Sequence, residues 1–343
     1  MELLKGITLL LAALTAFSLF SRFAPHGTKA MGGLASAAVA SFLVEAIHAY
    51  ISGDFLGIDV LRETGLAAGS MGGPAAAALV ALALGANPVF AIVAAIATKG
   101  TGILAGFIAG YICYFISKVI EKHLPEGIDI IVGALIIAPC AYLIAHASGP
   151  VVGNIMAIIG TAITGATSAS PYVMGFLLGG LIKMICTSPL SSMALTAILG
   201  LTGLPMGIAA IACVGGSFTN GILMKRLKLG DRNKVIAIML EPLTQADIVT
   251  RNAFKIYSCN FFGGALSGLV AVYFNIINDA PGTAAPIPGL LAPFAFNEAG
   301  TVVMAVIAAS ICGIVAGYIG SNIHLKLDEK RANKLNGATA VAS

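Results

Sequence analysis

The stretch VIAIMLEPLTQADIVT, Val235 to Thr250, separates two basic clusters. Lys225, Arg226, Lys228, Arg232 and Lys234 precede it; Arg251 and Lys255 follow it. In a chain that threads a bilayer, clustered Lys and Arg mark the cytoplasmic side of the segments they flank. If both clusters obey that rule, the 16 residues between them enter and leave by one face. A spanning helix takes about 17–25 mostly apolar residues, and this stretch is both shorter and interrupted by Glu241, Pro242, Thr244, Gln245 and Asp247. Polar or irregular backbone survives at membrane depth only where protein buries it or water reaches it. The stretch therefore reads as a re-entrant hairpin that lines a polar pathway, with Glu241 at its tip.

Composition supports a membrane setting. Charged residues make up 10% of the chain, against about 25% in soluble domains, and the mean hydropathy is +0.96. Apolar runs recur from end to end, so we expect one transmembrane domain over 1–325 and a polar, disordered cytoplasmic tail over 326–343. The opening run Ile7–Phe23 lacks a persuasive cleavage site and reads as the first spanning helix. With 41 glycines, helix backbones can approach closely, which is how helices associate in lipid. The expected fold is an all-α polytopic membrane protein of about ten transmembrane helices with re-entrant hairpins.

Several chemistries find no support. The six cysteines lie singly in apolar segments, without C-x-x-C or zinc-like spacing, so no metal or other cofactor is expected. No nucleotide-binding loop or hydrolase elbow occurs, and the paired glycines read as packing contacts. Catalytic residues are not expected in this chain. The net charge of +4 follows topology and does not suggest nucleic acid as a partner.

Candidate spans fall near 6–23, 31–51, 66–85, 88–117, 128–148, 151–165, 171–186, 190–203, 206–224, 254–275 and 300–321. Lys118 and Lys122, the 225–234 loop, and Lys326, Lys330, Arg331 and Lys334 should all be cytoplasmic. Five crossings between Lys122 and Lys225 would violate this parity, so one segment must fail to cross. The interruption Thr187-Ser-Pro-Leu-Ser-Ser192 is the best choice, and broken segments near mid-membrane point to a transporter's binding site. A third interruption, Pro281–Gly289, leads into a short dip at Leu290–Phe296.

Ionisable groups in apolar sequence are costly, and that makes them functional candidates. Glu241 leads: a carboxylate can accept several hydrogen bonds, from solute hydroxyls or from backbone N–H groups that pin the hairpin. Asp247 either assists it or caps the hairpin. Thr244, Gln245, Thr187, Ser188, Ser191 and Asn297 complete the candidate solute contacts. Glu45 and His48, spaced i, i+3, read as a pair on one helix face. Lys99 and Lys183 read as lysines whose heads snorkel outward.

Four stretches in order resemble the membrane-embedded IIC component of bacterial sugar phosphotransferase systems, above all the fructose-type permeases. Ile103-Leu-Ala-Gly-Phe-Ile-Ala-Gly-Tyr111 is similar to a glycine-rich G-F-x-x-G-Y helix. Ser170-Pro-Tyr-Val-Met-Gly-Phe-Leu-Leu-Gly179, followed by the Thr187–Ser192 break, is similar to a P-x-x-x-G-x-L-x-G helix. Met239-Leu-Glu-Pro242 with Gly263-Gly-Ala-Leu-Ser-Gly268 resembles the Ile-Thr-Glu hairpin and its following helix. Ala292-Pro-Phe-Ala-Phe-Asn-Glu-Ala-Gly300 sits where those permeases have an Ala-Pro-His-Gly-Gly-like dip. Met239-Leu240 stands for the family's Ile-Thr, and Phe294 for its His; a compact branch that includes PfoR-type regulators is more similar. The resemblance implies a homodimer in a bacterial inner membrane and a mid-membrane sugar site with Glu241 on the substrate hydroxyls. It also implies coupling to a separate IIB protein, since no IIA or IIB module is expected here. The alternative expectation is a regulator, sensor or non-phosphotransferase transporter on the same scaffold.

The charge pattern makes a direct prediction. In a background cleared of native thiols, single cysteines replacing Arg232 and Arg251 should resist a membrane-impermeant thiol reagent added outside. Strong labelling of either would eliminate the hairpin.

Overall fold

The structure, a computed structural model, describes residues 2–167, 170–190 and 192–341. Helices account for its regular structure, and no strand occurs among the described residues. In lipid a helix satisfies its own backbone, whereas an open strand edge does not.

Helices α1 (Glu2–Phe23) and α2 (Gly27–Ala38) pack together across a short turn, and α2 continues through π-helical turns at Val39–Leu43 and Ala46–Phe55. Next, α3 (Asp59–Ser70) and α4 (Gly72–Leu84) meet at a 58° bend. Asn87 starts α5 (Pro88–Ala97) by accepting the Val89 N–H, with Pro88 in the first turn where no donor is required. The loop Thr98–Gly102 leads into α6 (Ile103–His123), which ends on Lys122 and His123.

The chain then departs from the expected segmentation. A break near Ser148–Pro150 was expected, but α7 (Ile128–Thr167) is one helix of 40 residues that runs through Pro139 and Pro150. Each proline removes one backbone bond; a full break would free several more where little water could satisfy them. The region between Lys122 and Lys225 thus holds α7, α8 (Pro171–Cys186), α9 (Ser192–Ile198) and α10 (Gly203–Arg226). With 16 and 7 residues, α8 and α9 reach only about 24 and 11 Å, short of a hydrocarbon core of about 30 Å. They flank the 187–192 interruption; the merger of 128–148 and 151–165 into α7 by itself reduces five candidate segments to four and removes the parity conflict.

The quoted stretch folds as α11 (Arg232–Leu240), a 3₁₀ turn at Pro242–Gln245, and α12 (Ala246–Arg251). It is followed by α13 (Ala253–Tyr273), α14 (Pro286–Leu291) with a 3₁₀ turn at Ala292–Ala295, and α15 (Ala299–Val341). The expected disordered tail is instead helical to Val341; its Ala, Leu, Lys and Glu are good helix formers. Among the described residues, seven helices are long and apolar enough to cross a membrane, or eight if α3 and α4 form one bent span. Three shorter apolar helices accompany them. The protein is an all-α polytopic membrane protein.

Close packing rests on glycine. A Cβ at Gly179 would meet the Gly264 backbone, one at Gly268 the Gly175 backbone, and one at Gly313 the Gly215 backbone. These contacts draw α8, α10, α13 and α15 into one bundle. Gly33, Gly106 and Gly110 do the same for α2, α4 and α6. The apolar interior forms two main clusters, and the hairpin joins them: Ile238, Ile248 and Val249 belong to the first, Leu243 and Ala246 to the second.

Gly106→Val should therefore push α6 off the Gly73 backbone and cost about 1–3 kcal/mol or more, the usual penalty of overpacking. Gly32→Ala, whose Cβ would meet nothing within 4 Å, should leave stability unchanged or raise it. Thermal unfolding of both in detergent checks this; equal melting temperatures would refute the close approach.

Candidate functional site

Helix α11 begins on Asp231, whose carboxylate accepts the Lys234 N–H at 2.9 Å, and ends where Glu241 leaves helical backbone at φ −148°, ψ 100°. The break leaves few backbone groups unmet. The Glu241 N–H still donates to the Ala237 carbonyl at 2.9 Å. Its carbonyl accepts the Thr244 N–H at 3.1 Å and the Thr244 hydroxyl at 2.7 Å, and Pro242 brings no N–H. The carboxylate is less settled. Glu241 is only 4% exposed; its Oε1 accepts a long 3.4 Å bond from the Leu243 N–H, and its Oε2 has no hydrogen-bond partner among the described residues.

The outward limb of the hairpin is fixed to α10. The Ser217 hydroxyl donates to the Met239 carbonyl, and Met239 lies over Gly221, where any Cβ would collide with it. The return limb packs on α1 and α2, so the tip is wedged between two walls.

The second interruption approaches the same place. The Thr187 hydroxyl donates to the Lys183 carbonyl at 2.9 Å, and the Ser188 hydroxyl to the Ile185 carbonyl at 2.8 Å while accepting the Leu190 N–H at 3.2 Å. Both hydroxyl protons are thus committed to the end of α8, and what these groups can still offer a solute is lone pairs. Ser192 donates to the Ala284 carbonyl at 2.5 Å, tying the break to the 281–289 loop. Ser191 lies outside the described residues.

Lys183 does not snorkel. It is 0% exposed, because Gly216 on α10 and Gly264 on α13 leave a channel for its methylenes that a Cβ at either position would fill. Its Nζ donates to the Cys213 carbonyl at 3.5 Å. Lys183 thus lies against Cys213 and Gly216 of α10, and the next residue, Ser217, holds Met239, two residues before Glu241. The two interruptions therefore meet beside the middle of the 24-residue α10.

The remaining candidates divide. Gln245 donates weakly to the Thr244 hydroxyl at 3.4 Å; Asp247 is half-buried. Asn297 donates to the carbonyls of Ile277 at 2.6 Å and Pro293 at 2.7 Å, and accepts the Ile277 N–H at 2.9 Å. Both its donors are occupied, so it braces the loop after α13 against the dip after α14. Glu45 and His48 form no ion pair among the described residues. The expected i, i+3 face belongs to an α-helix, and here the chain takes wider π-helical turns; the Glu45 carboxylate lies over Gly69 instead. Lys99 is exposed.

A cavity of about 480 Å³ opens elsewhere in the bundle. The α3–α4 bend (Gly69, Ser70, Gly72), Thr101 and Gly102 before α6, and Leu190, Leu195 and Leu199 line it. Its walls are mostly apolar side chains and glycine backbone. Sequence reasoning missed Lys183, Cys186 and Cys213 as members of the buried centre. The signal available was indirect: glycines on two other helices that make room for a lysine.

Fold and centre together define a multi-pass membrane protein whose broken helices bury polar and charged groups at mid-bundle. In comparison with known families, residues 28–336 match the family described as phosphotransferase system, EIIC. The chain belongs to that family, and is thus a membrane permease component of a sugar phosphotransferase system. No match was found among curated proteins or among solved structures.

Asn297→Ala should lower stability by about 1–3 kcal/mol, the cost of leaving half-buried backbone partners unpaired, and leave solute affinity within a factor of about two. Melting temperature and binding on one preparation check this; a large affinity loss at unchanged stability would make Asn297 a solute contact.

Proposed function

We propose that this EIIC protein binds a small, hydroxyl-rich solute, a sugar, between the Glu241 hairpin and the 187–192 break. Glu241 accepts hydrogen bonds from the solute hydroxyls. Thr244, Gln245 and Asp247 supply further contacts from the hairpin, and Thr187, Ser188 and Ser191 supply acceptors from the opposite break. The observation that carries this reading is the buried Glu241 Oε2, which has no hydrogen-bond partner among the described residues. A carboxylate oxygen buried without a donor is costly, and a hydroxyl-bearing solute removes that cost.

The proposed working cycle exposes the site to each side in turn as the two tips part. A separate IIB protein phosphorylates the sugar as it emerges at the cytoplasmic face. The family resemblance supports a homodimer in a bacterial inner membrane, and the basic residues near the end of α15 support a cytoplasmic C-terminus. A regulator or sensor on this scaffold is the second reading, favoured by Met239-Leu240 and Phe294 in place of the permease residues; it would use the same solute site.

Each charge-assisted hydrogen bond contributes about 1.5–3 kcal/mol, or roughly tenfold or more in affinity. Glu241→Gln keeps the shape, removes the charge and replaces one acceptor by a donor. It should bind sugar at least about tenfold more weakly while folding normally. If Glu241 only pins the hairpin, the substitution will instead lower the melting temperature and leave affinity intact.

A further inference from the structure

Lys183 presents a problem that the reading of Glu241 alone leaves open. An ammonium has three donors and no acceptor. Lys183 is fully enclosed, yet the bond it makes, to the Cys213 carbonyl at 3.5 Å, lies at the limit of a hydrogen bond. No carboxylate oxygen among the described residues lies within 4.0 Å of its Nζ. Glu241 stands two residues beyond Met239, whose carbonyl is held by Ser217, the residue next to the Gly216 that Lys183 lies against, and it carries the matching deficit: among the described residues its Oε2 has no hydrogen-bond partner. An acidic and a basic side chain thus lie along one stretch of α10 inside the bundle, with no ion pair between them among the described residues.

An unpaired buried charge is strongly unfavourable, and a direct ion pair would relieve both. Backbone packing works against that collapse. The Lys183 stem is held in the Gly216–Gly264 channel, and the Glu241 limb is tied to α10 through Ser217 and Met239. What relieves both groups is a molecule that donates to Glu241 and accepts from Lys183. A hydroxyl does both. An additional carboxylate on the solute would face Glu241 as a like charge and leave the centre with a net negative charge.

We propose that Lys183 is the second charged contact of the solute site, donating to an oxygen of the molecule whose hydroxyls Glu241 receives, and that the pair selects a neutral polyhydroxylated solute over its acidic counterpart. This rests on the proposed solute role of Glu241.

The test uses the full chain in lipid nanodiscs, with binding of D-fructose, D-glucose and D-mannitol compared with D-gluconate. A neutral compound should bind at least about tenfold more tightly than gluconate, and Lys183→Met, which keeps the stem and removes the charge, should weaken that compound by at least about tenfold. If Glu241→Gln weakens binding and Lys183→Met does not, this proposal fails and the role of Glu241 stands. If neither substitution changes affinity, both fail. Should Lys183→Met not fold, Lys183→Gln and the wild-type selectivity decide: unchanged affinity in Lys183→Gln, tighter gluconate binding, or no binding of any neutral compound overturns the proposal. A Lys183→Met/Glu241→Gln double variant that melts higher than either single variant, with Lys183→Met alone binding normally, would make the two charges a structural pair only.

Discussion

The close approach of α8, α10 and α13 is the constraint on which the rest of the molecule depends. Gly175, Gly179, Gly264 and Gly268 let α8 and α13 touch along their backbones, and Gly215 lets α15 lie against α10. Without a hydrophobic drive between helices in lipid, such contacts gain their energy from dispersion over large, tightly fitted surfaces. The same packing encloses the two interruptions in protein. A hairpin of nine-residue and six-residue helices could not persist in hydrocarbon by itself; against α10 on one side and α1 and α2 on the other it can.

Irregular backbone at this depth is made tolerable by short side chains that act as substitute backbone partners. Thr244 closes the turn after Glu241, Ser188 caps the end of α8 and steadies the chain beyond it, and Ser192 reaches across to the Ala284 carbonyl. In the 275–285 loop, Asp279 accepts the Gly203 N–H, and Asn278 donates to Thr283. Ser and Thr in such places resemble solute ligands when read from sequence. Their donors serve the fold first, and only the lone pairs remain for a guest.

Against this background the two charged groups differ in kind from the hydroxyls. Glu241 contributes one long bond to its own turn, and Lys183 one bond at the limit of reach. Folding has brought both to the middle of α10 without satisfying either. Strained or unsatisfied groups that the surroundings hold in place are where function concentrates.

Much of this architecture was legible in the chain. The basic residues on either side of Val235–Thr250, with Glu241 and Pro242 inside it, marked a stretch too short and too polar to span. Apolar runs and glycine fixed an all-helical membrane bundle, because lipid permits few alternatives. Pro150 misled: local rules read it as an end, while the surrounding helix retained enough of its own bonds to continue. Glu45 and His48 misled for a related reason, since a face drawn at α-helical spacing does not survive π-helical turns. The position of Lys183 could not be read locally at all. A lysine near a helix end ordinarily extends toward water; here Gly216 and Gly264, which lie 33 and 81 residues away along the chain, give its stem an inward path. The sequence determined which residues are costly to bury in lipid, since that cost belongs to each side chain. Only the tertiary structure decided that two of the costly ones meet unpaired, because their separation depends on how closely three distant helices pack.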